Sequence, residues 1–412
     1  MLSWKFLLRV LFFSIIILQN SFTQSWFIQP SGVTSHLLSV YFADANTGWC
    51  GTITGSVLKT TNSGVSWAEY STGQSIGINS LYFISSTAGF ACGDLGYILS
   101  TVNGGVNWSA LVSSTSSSLF KIRFINSSTG WAAGDFRTIV KTTNSGVTWA
   151  TQITGSNSNY SVFPLTSSIV FSCGYDGVIY KSTNGGINWY VPNSNTSYIL
   201  NDIYFSSATT GVAVGYGTPI PTVLRTTNSG ENWSIVPTAS GSGLNALHFP
   251  TSSSGWACGY DGIIMNTTNS GANWTYQSTP VPTLILKDIN FINSSTGWCV
   301  GYLGTILKTT NGGITAVQQT GTEIPQTFLL SQNFPNPFNP VTSINFNIPS
   351  LSITKLIVFD QLGMEVETLV NEQLSPGSYK YEWNAADYPS GVYFYKLQAG
   401  EFVETKKMVL MK

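Results

Sequence analysis

The chain has 412 residues, a formal charge of −1, 8% charged residues and 13% aromatic residues. Disordered chains are rich in charge and poor in aromatics, so disorder is excluded. Without a basic excess to neutralise phosphates, nucleic acid is not an expected partner. Forty glycines, with many Ser, Thr and Asn, point to an all-β protein with tight turns.

The N-terminus carries Lys5 and Arg9, then the apolar run Val10–Leu18, then polar residues from Gln19. A positive n-region, a short apolar stretch and small residues near Ser21 and Thr23 predict a signal peptide over 1–23. The run is too short to span a bilayer, and no transmembrane segment is expected once it is removed.

A repeat follows. The core TTN, or a close variant, places its Asn at Asn62, Asn103, Asn144, Asn184, Asn228, Asn269 and Asn311. A Trp stands five residues beyond the first six: Trp67, Trp108, Trp149, Trp189, Trp233 and Trp274. A Gly precedes each Asn by about eleven residues, from Gly51 to Gly301. A period near 41 residues with several turn signals predicts a propeller rather than a helical solenoid. One unit reads as four strands: LNALHF at 244–249, GWACG at 255–259, IIMNT at 263–267 and WTYQS from Trp274. Seven units predict a seven-bladed β-propeller over 24–317. After Asn311 the seventh unit has no Trp, while WFIQ at 26–29 resembles WATQ at 149–152. Trp26–Gln29 is therefore expected to supply the outer strand of the last blade and close the ring.

Cys50, Cys92, Cys173 and Cys258 all precede the repeat Gly, and Cys299 lies one place earlier. Equivalent points on adjacent blades lie about 10 Å apart, too far for a bridge, so free thiols are expected.

The segments KTTNSGVSW, STVNGGVNW, KTTNSGVTW, KSTNGGINW, RTTNSGENW and NTTNSGANW resemble Asp-box repeats, also called bacterial neuraminidase repeats. The GWxxG…KTTNGGxxW layout resembles the propeller of photosystem II assembly and stability factors. The likeness implies the fold; such propellers carry many activities.

The polar stretch 318–329 reads as a linker, and LSQNFPNPFNPVTSINFNIP at 330–349 as a rigid proline-rich entry. Alternating strands are predicted at 355–360, 363–369, 377–383, 391–398 and 404–411, making a small Ig-like β-sandwich over 330–412. The run Asn333–Pro340, then VFDQLG, SGVYFYKLQAG and KKMVLMK, resembles the type A sorting domain of the type IX secretion system. That resemblance implies a partner in the type IX machinery through 330–412. It also implies a secreted or outer-surface location in a Gram-negative bacterium.

Catalysis is not expected. Two histidines, His36 and His248, cannot build a zinc site alone, and no cofactor is implied. Arg123, Arg137 and Arg225 are the only arginines after Arg9. Arg225 holds a repeat Lys place. Arg123 shares a first-strand column with Tyr41, Tyr82, Tyr204, His248 and Asn290, which reads as scaffold. Asp94, Asp135, Asp176 and Asp261 all fall between the second and third strands, so equivalent turn chemistry explains them before paired-carboxylate glycoside hydrolysis does. The expectation is a non-catalytic binding module for a glycan or protein, with an assembly factor and a glycoside hydrolase as alternatives. The expected binding rim carries Asp94, Asp135, Tyr175, Asp176, Tyr216, Tyr260, Asp261 and Tyr302, because tyrosine offers a flat apolar face and a hydroxyl.

Overall fold

The computed structural model describes residues 26–153, 157–217, 219–313, 317–321, 324–374, 376–385 and 388–412. The predicted signal peptide lies outside the described residues. The chain divides into two units, one spanning Ser25–Ile314 and the other holding Thr315–Lys412.

The first unit is a propeller of seven antiparallel sheets. In the first blade the strands are Leu37–Phe42, Gly48–Thr52, Ser56–Thr60 and Ala68–Ser71. The innermost strand of each blade packs on that of the next, and Leu286–Phe291 packs back on Leu37–Phe42. Ring closure buries every sheet between two neighbours, which no isolated blade achieves. The last blade is closed from the other end of the unit: Phe27–Gln29 pairs with Ile306–Lys308.

The repeat turn is held by its own side chains. Thr60 Oγ1 accepts the Asn62 and Gly64 N–H groups at 3.3 and 3.0 Å, and Asn62 Oδ1 accepts the Ser66 N–H at 3.0 Å. The same three bonds recur at Thr142, Asn144 and Thr148. Asn and Thr suit this place because their short side chains replace missing backbone partners.

The sequence predicts four strands in every blade, but the fourth blade has three. Tyr190 makes a lone bridge to Lys181. The next hydrogen-bonded pair of an antiparallel ladder lies two residues on, where Pro192 has no N–H to give.

Every innermost strand carries a bulge after its first residue, from Leu37/Ser39 to Leu286/Asp288. A bulge re-aims a side chain. Here the second residue of each strand turns to the channel mouth, and the third and fifth line the channel below it.

The second unit is a sandwich of two sheets. One orders Val317–Gly321, Gly377–Asn384, Val341–Ile348 and Leu329–Leu330; the other orders Glu365–Leu374, Ser352–Phe359, Gly391–Ala399 and Phe402–Leu410. Trp383, Tyr395, Phe346 and Leu356 fill its core. Two sequence expectations are corrected. Val317–Gly321, read as propeller end and linker, is an edge strand of this sandwich, and the proline-rich entry ends in the full strand Val341–Ile348. Asn333 anchors that entry: its N–H donates to the Tyr395 hydroxyl at 2.8 Å, and its Nδ2 donates to Thr342 Oγ1 at 2.9 Å.

Candidate functional site

In blades two to seven the second strand ends at the repeat glycine, and in the first at Thr52, one residue past Gly51; the following residue is pinned to the loop arriving from the blade before. Tyr175, Tyr216, Tyr260 and Tyr302 donate their backbone N–H to Ser158, Ile199, Gly243 and Ile285 carbonyls at 2.9–3.1 Å. Asp94 and Asp135 make the same bond to Gly77 and Ser118 at 3.4 and 2.9 Å. Glycine precedes them because a Cβ on Gly174 or Gly215 would collide with the Ser158 or Ile199 carbonyl. One rim therefore presents a side chain per blade at a fixed place. In blades four to seven that side chain is tyrosine.

The four aspartates are not equivalent, as the sequence had suggested. Asp94 and Asp135 occupy the pinned place. Asp176 and Asp261 stand one residue later, at φ 57° and 53°, where Leu95 and Leu303 stand in other blades. Aspartate tolerates that left-handed conformation better than leucine does. Asp94 is bound inward, accepting from the Gly77 N–H at 3.2 Å and from Asn79 Nδ2 at 3.0 Å. Asp261 is held by Ser242, and Asp176 accepts from Asn157 Nδ2 at 3.2 Å.

The structure brings part of this set together. Tyr216 and Tyr260 meet edge to face at 5.8 Å. Tyr302 stacks flat on His36 at 4.0 Å, and the Leu303 N–H donates to His36 Nδ1 at 3.2 Å. Tyr175 and Tyr216 are largely exposed, at 47% and 43%. Tyr260 and Tyr302 reach the channel mouth, a cavity of about 310 Å³ lined also by Asn79, Phe120, Tyr160, Asn201, Asn245 and Lys287. Asn201 and Asn245 donate Nδ2 to the next blade's Leu244 and Leu286 carbonyls at 2.8 and 2.7 Å. Phe120 and Tyr160 form a tilted pair at 5.4 Å. Burial holds the Lys287 ammonium below its ordinary pKa.

Sequence reasoning missed the channel itself. At the mouth's floor Lys121 lies between two carboxylates, 3.3 Å from Asp202 and 3.7 Å from Asp288. These residues come from blades three, five and seven. Burial pushes the Lys121 pKa down, but Asp202 and Asp288 outweigh it and raise the pKa. Burial pushes Asp202 up, and Lys121, Arg123, Ser161 and the Leu247 N–H together hold it below the ordinary carboxylate value. Asp288 is left above it, burial being its largest influence. A signal existed: aligned across units, the third innermost-strand residue reads Ser39, Ser80, Lys121, Ser161, Asp202, Ala246 and Asp288, charge in a column that should be core.

Below this layer a second chamber of about 190 Å³ shares Lys121 and Asp288 with the mouth. The column expected to be scaffold lines it: Tyr41, Tyr82, Arg123, Tyr204, His248 and Asn290. Among the described residues no cluster of three or more His, Cys, Asp or Glu is placed to hold a metal ion. All five cysteines are free and buried. No helix of the described residues is long and apolar enough to cross a membrane.

Comparison with known proteins agrees with this geometry. The chain is similar to a solved YCF48 structure bound to a D1 peptide, at 20% identity and a TM-score of 0.59, over 70% of this chain and 95% of that one. It is similar to YCF48 from Cyanidioschyzon merolae at 18% identity and a TM-score of 0.58, over 69% and 98%. The WD40 propeller of Doa1 matches at 10% identity and a TM-score of 0.57, over 70% and 96%. At these identities the likeness is one of fold. No curated protein sequence matches the chain. Residues 332–411 match the secretion system C-terminal sorting domain family. The chain is thus a β-propeller joined to a type IX sorting domain, a secreted or outer-surface protein of a Gram-negative bacterium.

Proposed function

We propose that the propeller is a non-catalytic binding module, and that its ligand is a polypeptide segment lying across the tyrosine rim and the channel mouth. The observation that carries this is the arc Tyr175, Tyr216, Tyr260 and Tyr302, one tyrosine at the same pinned place in four successive blades. Tyrosine supplies large contact area at low entropic cost and is enriched at binding hot spots. A propeller of similar fold has been solved with a peptide bound, which supports a peptide over other ligands. The absence of catalysis is supported by the state of the carboxylates: Asp202 and Asp288 are tied to Lys121, Asp94 accepts from Asn79 of the innermost strand, and Asp261 from Ser242 of the loop before it.

The test is a peptide array and a glycan array, each probed with the secreted protein, followed by the double variant Tyr216→Ala with Tyr260→Ala. The variant should keep the wild-type circular dichroism and bind array peptides at least tenfold more weakly. Hits confined to the glycan array would replace the polypeptide by a sugar. Unchanged affinity in the double variant would move the site off this rim. Turnover on a polysaccharide panel would overturn the non-catalytic reading.

A further inference from the structure

We propose that the polypeptide held by the tyrosine rim is cationic: its lysine or arginine side chains meet the rim carboxylates, and apolar side chains between them meet the exposed rim faces. The inference rests on the reading of this rim as a peptide site and names the chemistry of that peptide.

The charges of the propeller balance as a whole, but they are sorted along its axis. In the channel Lys121 and Arg123 offset Asp202 and Asp288. On the tyrosine rim five carboxylates, Glu69, Asp94, Asp135, Asp176 and Asp261, stand against two cations, Arg137 and Lys287. Glu69 belongs to this end because it accepts the hydroxyl of Ser56, the first residue after the rim turn of blade one. On the opposite rim the balance reverses. Lys59, Lys141, Lys181, Arg225 and Lys308 stand there against Asp44 and Glu231, and the last four of these cations donate to carbonyls of the TTN turns. None of the five carboxylates on the tyrosine rim is in a salt bridge among the described residues. Asp94, Asp176 and Asp261 accept only from uncharged groups. A carboxylate has about four acceptor sites, so each keeps room for a cation.

Apolar faces are set between these charges. Four blades carry an acid and an apolar face side by side, in either order: Asp94 with Leu95, Asp135 with Phe136, Tyr175 with Asp176, and Tyr260 with Asp261. Leu95 and Phe136 are 66% and 79% exposed, at φ 55° and 52°. Large side chains rarely adopt that conformation, and exposure gives them no packing in return. Such a rim is complementary to a chain that interleaves cations with apolar side chains. The channel mouth agrees. Asn201 and Asn245 donate Nδ2 to the next blade's carbonyls, and Asn79 donates Nδ2 to Asp94 and to the Leu119 carbonyl. Their Oδ1 atoms are left to accept from a ligand. Lys287, which lines the same mouth, is already counted against the carboxylates. Exposed charges of this kind are screened by salt and act on association rate and partner choice, which sets the test.

The test uses the full secreted chain and three fluorescent peptides of one length. The first alternates lysine with valine, the second has glutamine for lysine, and the third has glutamate for lysine. Binding is read by anisotropy at low and at physiological salt. At low salt the lysine peptide should bind at least tenfold tighter than the glutamine peptide, and the glutamate peptide should bind weakest. The advantage of lysine should shrink as salt rises. Asp135→Asn with Asp176→Asn should weaken the lysine peptide at least fivefold, flatten its salt dependence and leave the glutamine peptide unchanged. Asparagine keeps the shape and tolerates the left-handed place of Asp176, so the melting temperature should match wild type. Phe136→Ser should weaken the lysine and glutamine peptides alike. Glu401→Gln, an exposed acid of the sandwich, should match wild type. Equal or tighter binding of the glutamine or glutamate peptide would overturn the cationic assignment. If Tyr216→Ala with Tyr260→Ala still weakened that peptide, the rim would remain the peptide site with a different ligand. Lysine-peptide binding indifferent to both the aspartate pair and the tyrosine pair would sink the two readings together. Failure of the lysine peptide to bind the wild type would overturn the proposal.

Discussion

Trp26 meets Phe291 edge-on, with ring centroids 5.7 Å apart and planes at 86°. The same relation joins Trp67 to Phe42 at 5.9 Å and Trp274 to Phe249 at 6.1 Å. A tryptophan at the start of the unit thus does for the last blade what the repeat tryptophan does for the others. Its Nε1 donates to Gln277 Oε1 of the preceding blade at 2.8 Å, and its ring is fully buried.

Replacing that ring should therefore open the closure. Trp26→Ala is expected to lower stability by about 3–5 kcal/mol, the usual loss for emptying a buried aromatic site. Denaturant unfolding of the secreted protein measures it. A loss below about 1 kcal/mol would show that closure does not depend on this blade.

Lys121 holds two carboxylates inside the channel. Lys121→Met leaves them facing each other, and breaking such a pair costs about 3–5 kcal/mol when the remaining charge is buried. The cost should depend on pH. In the wild type the lowered Asp202 pKa means stability present above the unfolded carboxyl value of about 3.9 and lost as pH falls through the lower folded value. In Lys121→Met the carboxylates lose the cation that bridges them, keep only Arg123 as a positive neighbour, and protonate more readily. The variant should lie far below wild type at pH 7 and much closer to it near pH 4.5. Parallel thermal scans at the two pH values decide this; a gap independent of pH would mean that lost packing, not charge, is the cause.

The cysteines should titrate as five thiols in the denatured, unreduced protein and resist thiol reagents in the native one. Burial raises the thiol pKa at Cys50, Cys92, Cys173 and Cys299, and the thiolate is the reactive form. A count of three or one after denaturation would reveal disulfides.

Export should need the sorting domain. Deleting residues 332–411, the family match, should leave the propeller in the periplasm, read by fractionation and immunoblot. Equal release of the shortened chain into the medium would separate export from this tail.

The period, the turns and the order of strands were legible because they are local. Asn62 caps Ser66 four residues away, and the same tripeptide makes the same turn wherever it recurs. The closing role of Trp26 was legible for a related reason: the repeat defines a place, and one copy lacked its occupant. What faces the channel was not legible. Lys121 and Asp202 are 81 residues apart, and they meet only because the ring closes and a bulge turns each innermost strand. A column read as scaffold became the wall of a chamber by the same step. The fourth blade shows the converse: a repeat predicts four strands, and one proline without an N–H removes the last. Sequence determined the unit and its count, since short-range hydrogen bonds set both. Only the tertiary structure decided which side chains share the axis, because that depends on contacts between blades and not within them.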